Sequence, residues 1–388
     1  MMQKARSRLP PGAVPLLGSI VLMFFSVFTG VAIAPIAAEA AGRSSDAGLI
    51  TGLFAATTVA TQLWMPRMLS SRHSPRILHI AFVLLVLSNV PFVAWSESSA
   101  LLFAGSAARG VGFGVTAVMA SLLVNLAEPS RRGEMMAYFG VAATIPGIAA
   151  PALGLYLQAA FGLAVPSVLS AVCAIGGLSI AVTLSLRTGE AQRAGGLLGA
   201  LRGRSVLLPF LVSGAASAAF GGLISFVPLV LTGPGIESAS LFFLGTGIWR
   251  ALARWQSSRL ADRRRPASLL TAGPLLAIPG AVALAAGSGA WFLVAAALLG
   301  IGIGIIQNIS YLAMLDAVEP HSYGLIATLW NISLDGGVMV GALGLAMLEQ
   351  AASLTAVLWS LALIFVAGAP LAAMAAGSAP AMSAETQP

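Results

Sequence analysis

The chain of 388 residues is short of most residue types that soluble enzymes rely on. A single cysteine, Cys173, excludes an intramolecular disulfide and a thiolate metal cluster. There is also a single lysine, Lys4. A Walker A loop needs a lysine beside its glycines to reach the nucleotide phosphates, so a conventional ATP-driven pump is excluded. The three histidines, His73, His79 and His321, are scattered, and neither a metal site nor any other cofactor is expected. Charge is the scarcest property: 9% of residues are Asp, Glu, Lys or Arg, 58% are hydrophobic, and the mean hydropathy is +0.94. A soluble chain carries about 25% charged residues, so water is not the solvent of this one. Glycine is abundant, with 43 residues, which suits helices packed backbone to backbone inside a bilayer. A pI of about 10.7 would suggest nucleic acid in a soluble protein. The placement of the basic residues gives a different explanation, and no nucleic-acid partner is expected.

A membrane-spanning helix takes about 20 mostly apolar residues. The apolar runs predict helices near 14–38, 47–69, 76–95, 99–126, 134–158, 162–186, 206–231, 238–260, 267–287, 290–316, 322–348 and 352–375. The first run, Ala13 to Ala38, is longer than the roughly 7–15 apolar residues of a cleaved signal, and is read as a retained span. The fold class is therefore all-α and integral to the membrane, with twelve transmembrane helices. Arg187 to Arg204 is the longest polar stretch and divides them. Residues 1–186 form an N-terminal six-helix half, 187–205 a cytoplasmic linker, 206–376 a C-terminal six-helix half, and 377–388 a disordered tail.

Cytoplasmic loops carry an excess of Lys and Arg. With the N-terminus inside, Lys4, Arg6, Arg8, Arg67, Arg72, Arg76, Arg131, Arg132, Arg187, Arg193, Arg202, Arg204, Arg259, Arg263, Arg264 and Arg265 all fall on the cytoplasmic side. Only Arg43 falls in an outer loop, while Arg109, Arg250 and Arg254 lie within spans. Both termini are expected in the cytoplasm. The two halves also resemble each other. Arg109 to Gly114 matches Leu299 to Gly304, Glu128-Pro129 matches Glu319-Pro320, and Ala152-Leu153-Gly154-Leu155 matches Ala342-Leu343-Gly344-Leu345, in one order and at nearly one offset. Parallel repeats of six spans are a transporter architecture in which the substrate site lies between the halves.

These residues resemble the major facilitator superfamily over nearly the whole chain. Ser258-Arg259-Leu260-Ala261-Asp262-Arg263, after the eighth span, resembles the family's cytoplasmic gate motif. The place after the second span, Pro66-Arg67-Met68-Leu69-Ser70-Ser71 followed by Arg76, departs from it: Ser70 stands for the acid and Pro66 for the glycine. Arg109-Gly110-Val111-Gly112 is similar to the family's fourth-span element. Pro146-Gly147 and Ala150-Pro151-Ala152-Leu153-Gly154 look like a degraded form of the fifth-span element of exporters. The resemblance, to small bacterial efflux permeases in particular, implies alternating access and favours export over uptake. It also implies a gate at Ser258, Arg259, Asp262, Arg263, Arg67 and Arg76, and a structural element at Pro146, Gly147, Pro151 and Gly154. High Ala, Gly and Arg with almost no Lys fits a GC-rich bacterial genome, and the expected location is the bacterial cytoplasmic membrane.

Ionisable groups inside spans cost about 2.5–3.5 kcal/mol each on insertion scales, so each is a candidate for function. Asp335 lies about midway along the eleventh span. Desolvation would keep its carboxyl protonated and a neighbouring arginine would keep it ionised; switching between these surroundings is what a proton carrier needs. A permanent ion pair is the alternative. Arg250 and Arg254 share one face of the eighth span at i,i+4, with Gln62 at the matching position of the other half. Arg109 sits in the fourth span, where the alternative to a coupling role is hydrogen bonding to carbonyls of a neighbouring helix. Three mid-span arginines against one aspartate suggest an anionic or zwitterionic substrate. Gln307, Asn308 and Asn331 add a polar lining, with interhelical hydrogen bonding as the alternative, which is favoured for Asn89. Glu39, at the outer end of the first span, is a coupling candidate or a wetted rim residue.

The expected function is proton-coupled export of a small organic molecule by a monomer. The alternatives are a proton-coupled importer of an organic anion, a non-transporting receptor, and a polytopic membrane enzyme. The last requires a nucleophile and base together at membrane depth, and here no histidine sits mid-span and no two aspartates are paired.

Overall fold

In lipid every backbone N–H and C=O must be satisfied within the protein, so long apolar runs fold as helices. A computed structural model describes residues 10, 12–69, 74–116, 119, 126, 132–184, 197–233, 235, 238–261, 266–319 and 322–378. Its helices are α1 (Ala13–Ala41), α2 (Asp46–Leu69), α3 (Ser74–Leu87), α4 (Val90–Ala94), α5 (Ser99–Gly114), α6 (Arg132–Phe161), α7 (Ala164–Thr183), α8 (Leu197–Ala200), α9 (Arg204–Val230), α10 (Ala239–Ala261), α11 (Pro266–Leu269), α12 (Ala272–Ala286), α13 (Trp291–Asp316), α14 (Tyr323–Ala351) and α15 (Leu354–Ser378). The only extended pairing among the described residues is an isolated bridge between Thr232 and Ser238. Among the described residues, ten helical stretches are long and apolar enough to cross a membrane. The remaining long helices are α5, described over 16 residues, and α10, whose apolar character is lowered by Arg250 and Arg254.

The helices differ from the predicted spans in two places. The predicted span 76–95 breaks at Ser88 and Asn89, between α3 and α4. Ser88 Oγ and Asn89 Nδ2 both donate to the Leu85 carbonyl, at 2.7 and 2.8 Å, and Pro91 supplies no N–H to continue the ladder. The predicted span 267–287 is two pieces, α11 and α12, separated at Leu270 and Thr271. At the other boundaries the agreement is within a few residues, except that the described part of the fourth span ends as regular helix at Gly114. The expected linker contains α8 and the first residues of α9. Residues 187–196 of that linker and 379–388 of the tail lie outside the described residues.

The chain forms two compact units. One comprises Met1–Ala41 and Ala56–Arg193. Its centre is α1, buried along almost its whole length and packed against α5, α6 and α7. Ser26 and Ser170 lock α1 to α7, with the Ser170 hydroxyl donating to the Ser26 carbonyl at 2.8 Å. Such interhelical bonds average only about 0.6 kcal/mol in a bilayer, so they fix register more than they add stability. α3 packs on α5 and α7 in the same unit.

The other unit comprises Gly42–Ala55 and Ala194–Pro388, with α9 at its centre against α13, α14 and α15. α13 also packs on α10 and α12. Here carbonyls of one helix press on glycines of the next. Gly300 meets Thr246 O and Gly304 meets Arg250 O; Gly302 meets Gly273 O, and Gly341 meets Ala218 O. The first turns of α2 belong to this unit because Gly48 and Gly52 leave room for Ala342, Leu343 and Ala346. The Ser44 hydroxyl donates to Glu349, and Gln350 donates to Ser45 Oγ at 3.0 Å.

The pairing is similar in both units. α1 with α6, α7 and α5 corresponds to α9 with α14, α15 and α13, and α3 with α5 and α7 corresponds to α12 with α13 and α15.

Candidate functional site

In the first unit the polar centre is Arg109 on α5, 1% exposed. The glycines around it explain how so large a side chain fits. Gly105 and Gly112 let α5 press onto the Ser88 and Ala81 carbonyls of the third span, and Gly30 of α1 faces the guanidinium with no Cβ in the way. Arg109 Nη2 donates to Asn89 Oδ1 at 3.0 Å, and the guanidinium carbon lies 4.9 Å from the centre of the Phe92 ring. Nε and Nη1 have no partner among the described residues. The expected alternative for Arg109, bonding to backbone carbonyls, is therefore corrected. The break at Asn89 presents a side-chain oxygen where a regular helix offers no free carbonyl. Asn89 itself is an interhelical partner, as its alternative reading had it.

In the second unit Arg250 and Arg254 are half-buried on α10. The Arg250 guanidinium lies over Phe220 of α9 at 4.8 Å, and that of Arg254 over Trp330 of α14 at 5.7 Å. The Trp330 ring is fixed on two sides: its Nε1 donates to the Gln307 carbonyl at 3.0 Å, and Tyr311 packs on it with ring centres 5.0 Å apart. Asn308 Nδ2 reaches the Arg254 carbonyl at 3.2 Å, Ser257 Oγ at 3.0 Å and Ser258 Oγ at 2.9 Å. The structure thus brings Arg254, Gln307 and Asn308 together, with Asn308 acting as a tie between α13 and α10. Phe220 and Trp330 are the residues that sequence reasoning missed. They lie 30 or more positions away on other helices, and no periodicity connects them to the arginines.

Asp335 is half-buried on α14. Ser333, Gly337 and Gly341 form the stripe of α14 that meets α9, with Ser333 Oγ donating to Ser213 Oγ at 3.1 Å. Asp335 and Asn331 lie on a different stripe at i,i+4. Beside them Gly336 faces open space, with no atom within 4 Å of where a Cβ would sit. Asn331 is exposed and its amide donates to the Ala327 carbonyl of its own helix at 2.9 Å. Gln62 is half-buried on α2, in the first unit, and Glu39 is exposed at the end of α1.

Ser258 and Arg259 are still helical, within the last turn of α10 rather than after it. Ser258 Oγ donates to the Arg254 carbonyl at 3.0 Å, and the exposed Arg259 lies 3.8 Å over Trp255. Asp262 and Arg263 lie outside the described residues, as does the side chain of Arg67; Arg76 is exposed near the start of α3. On α6, Pro146 is buried, Gly147 meets Phe28, and Gly154 meets Thr29 of α1 at 3.2 Å. That element is a close-packing face. No group of His, Cys, Asp and Glu able to hold a metal occurs among the described residues.

The sequence matches the profile of the Major Facilitator Superfamily over residues 16–342. No curated protein sequence matches it. Solved structures do. A bacterial homolog of the human lysosomal transporter Spinster, inward-facing and unoccupied, is 15% identical, with a TM-score of 0.76 over 95% of this chain and 98% of that one. The POT family transporter PepTSo is 11% identical, with a TM-score of 0.76 over 97% and 100%. A POT family transporter in complex with 5-aminolevulinic acid is 10% identical, with a TM-score of 0.76 over 96% of each chain. At such identities the likeness is one of fold. The family match covers most of the sequence, and with the apolar helices it places this chain in the Major Facilitator Superfamily, as a multi-pass membrane transporter and not an enzyme.

Proposed function

We propose that the protein exports a small organic molecule, anionic or zwitterionic, in exchange for protons by alternating access. Residues 1–186 and 206–376 are its two pseudo-symmetric six-helix halves, with α5 and α10 completing twelve spans; 187–205 is the linker, and 377–388 the tail. The observation that carries the reading is the placement of charge inside otherwise apolar helices. Arg109 is enclosed with one hydrogen bond, and the half-buried Arg250 and Arg254 lie against aromatic rings. Such groups are retained in spans where they serve a solute or ion path. The matching helix pairings of the two units support the pseudo-symmetry.

In this reading Asp335 is the coupling carboxyl. Arg109, Arg250, Arg254, Gln307, Asn308, Asn331 and Gln62 belong to the substrate and coupling path, and Glu39 to its outer rim. Ser258, Arg259, Asp262, Arg263, Arg67 and Arg76 form the cytoplasmic gate. The protein works as a monomer in the bacterial cytoplasmic membrane with both termini inside. The export direction rests on the fifth-span element, Pro146 to Gly154, which packs directly on α1. Everted membrane vesicles with an acidic lumen test the direction, with a panel of organic acids, zwitterions and cations outside. Export predicts gradient-dependent accumulation of at least one acid or zwitterion. Accumulation only in right-side-out vesicles with acid outside would make the protein an importer.

A further inference from the structure

The α10 face of the second unit has an unusual electrostatic arrangement. Arg250 and Arg254 are one helical turn apart on the same side of a span, so they repel each other. The groups they lie against are rings: Phe220 for Arg250 and Trp330 for Arg254. A ring face attracts a guanidinium by about 0.5–2 kcal/mol, whereas each arginine within a span costs about 2.5–3.5 kcal/mol on insertion scales. The rings therefore leave the pair under-compensated. A ring also engages the flat face of a guanidinium. The N–H donors lie in its plane, and among the described residues no hydrogen bond uses those of Arg250 or Arg254.

The surroundings are built to hold these side chains in place. Gly300 and Gly304 seat α13 against the α10 backbone at Arg250. Asn308 ties α13 to the Arg254 carbonyl, and the Gln307 carbonyl and Tyr311 hold the Trp330 ring beneath Arg254. Planar N–H forks match carboxylates better than they match spherical anions. Phe220, Tyr311 and Trp330 are each half-buried rather than enclosed, so apolar ring surface adjoins the forks.

We propose that Arg250 and Arg254 together bind the carboxylate of an organic acid whose apolar body packs on the Phe220, Tyr311 and Trp330 rings. This rests on the transporter reading and narrows its substrate to apolar carboxylates. The full-length protein in nanodiscs is titrated with 2-naphthoate and, separately, with its neutral isostere 2-naphthamide, against empty nanodiscs. The site predicts saturable naphthoate binding that falls about tenfold or more in Arg250→Gln and in Arg254→Gln. Arg254→Lys falls less than Arg254→Gln, because it keeps the charge and loses the fork. Weak naphthamide binding is indifferent to all three. Trp330→Leu lowers both ligands. Thermal unfolding of each variant separates loss of the site from loss of the fold. Equal binding of acid and amide, or naphthoate affinity unchanged in well-folded Arg→Gln variants, would overturn the proposal. Gradient-driven transport of other solutes without naphthoate binding would sink the substrate class and leave the transporter reading. Naphthoate binding that needs the arginines, with no flux of any compound, would keep this site and remove that reading.

Discussion

A buried guanidinium with one hydrogen bond makes its partner indispensable. Removing the Asn89 amide leaves Arg109 with no acceptor in an enclosed site, which costs about 1–3 kcal/mol. Asn89→Leu is therefore expected to lower the thermal unfolding temperature in detergent. Arg109→Met placed on that background should restore it, because removing the charge removes the need for a partner. If the two substitutions simply added, the pair would not be coupled. This residue also shows where sequence reading stops. Arg109 stood out because a charge in an apolar run is conspicuous. Its surroundings were only partly legible: Asn89 was conspicuous as a polar residue, but Gly30 on α1 and Phe92 on α4 are ordinary in a membrane span, and nothing in the sequence tied the three to Arg109. The same holds for Arg250 and Arg254, which were legible, and for Phe220 and Trp330, which were not.

Helices in this protein pack closely because their glycines lack a side chain. A side chain at Gly304 would meet the Arg250 carbonyl and Ala253, and one at Gly341 would run into the Ala218 backbone. Backbone cannot yield as a flexible side chain does. Gly304→Leu and Gly341→Leu should each cost about 1–3 kcal/mol or more and sharply reduce the folded yield on size-exclusion chromatography. Gly344 faces open space on the same helix as Gly341, so Gly344→Ala should raise the unfolding temperature slightly, by the roughly 1 kcal/mol that favours alanine in a helix. Equal damage at Gly341 and Gly344 would contradict this packing. Most helices were readable because about 20 apolar residues in a row have few other solutions in lipid. The break after α3 was not, because Ser88 and Asn89 compete for one carbonyl of their own helix, which hydropathy does not register. Nor did hydropathy indicate that the first turns of α2 pack with α14, a contact set by Gly48 and Gly52.

For the whole molecule, the expected topology rests on where the arginines are. Arg43, after α1, and Arg202, before α9, are both exposed and are expected on opposite sides of the membrane. In a Cys173→Ser background, Arg43→Cys should react with a membrane-impermeant maleimide in right-side-out vesicles, and Arg202→Cys only after permeabilisation. The reverse pattern would invert the topology and with it the assignment of the gate. Helices pair similarly around α1 and around α9, which supports the duplication expected from the short sequence motifs. Substrate chemistry was far less legible, because it depends on side chains that meet only after folding.

The proposed mechanism turns on Asp335 as the carrier of the coupling proton. The direct measurement is flux through wild type and Asp335→Asn in proteoliposomes, with and without an imposed pH gradient. Coupling through this carboxyl predicts that the variant loses gradient-driven flux and keeps substrate exchange across the membrane. Gradient-driven flux that is unchanged in Asp335→Asn would contradict it.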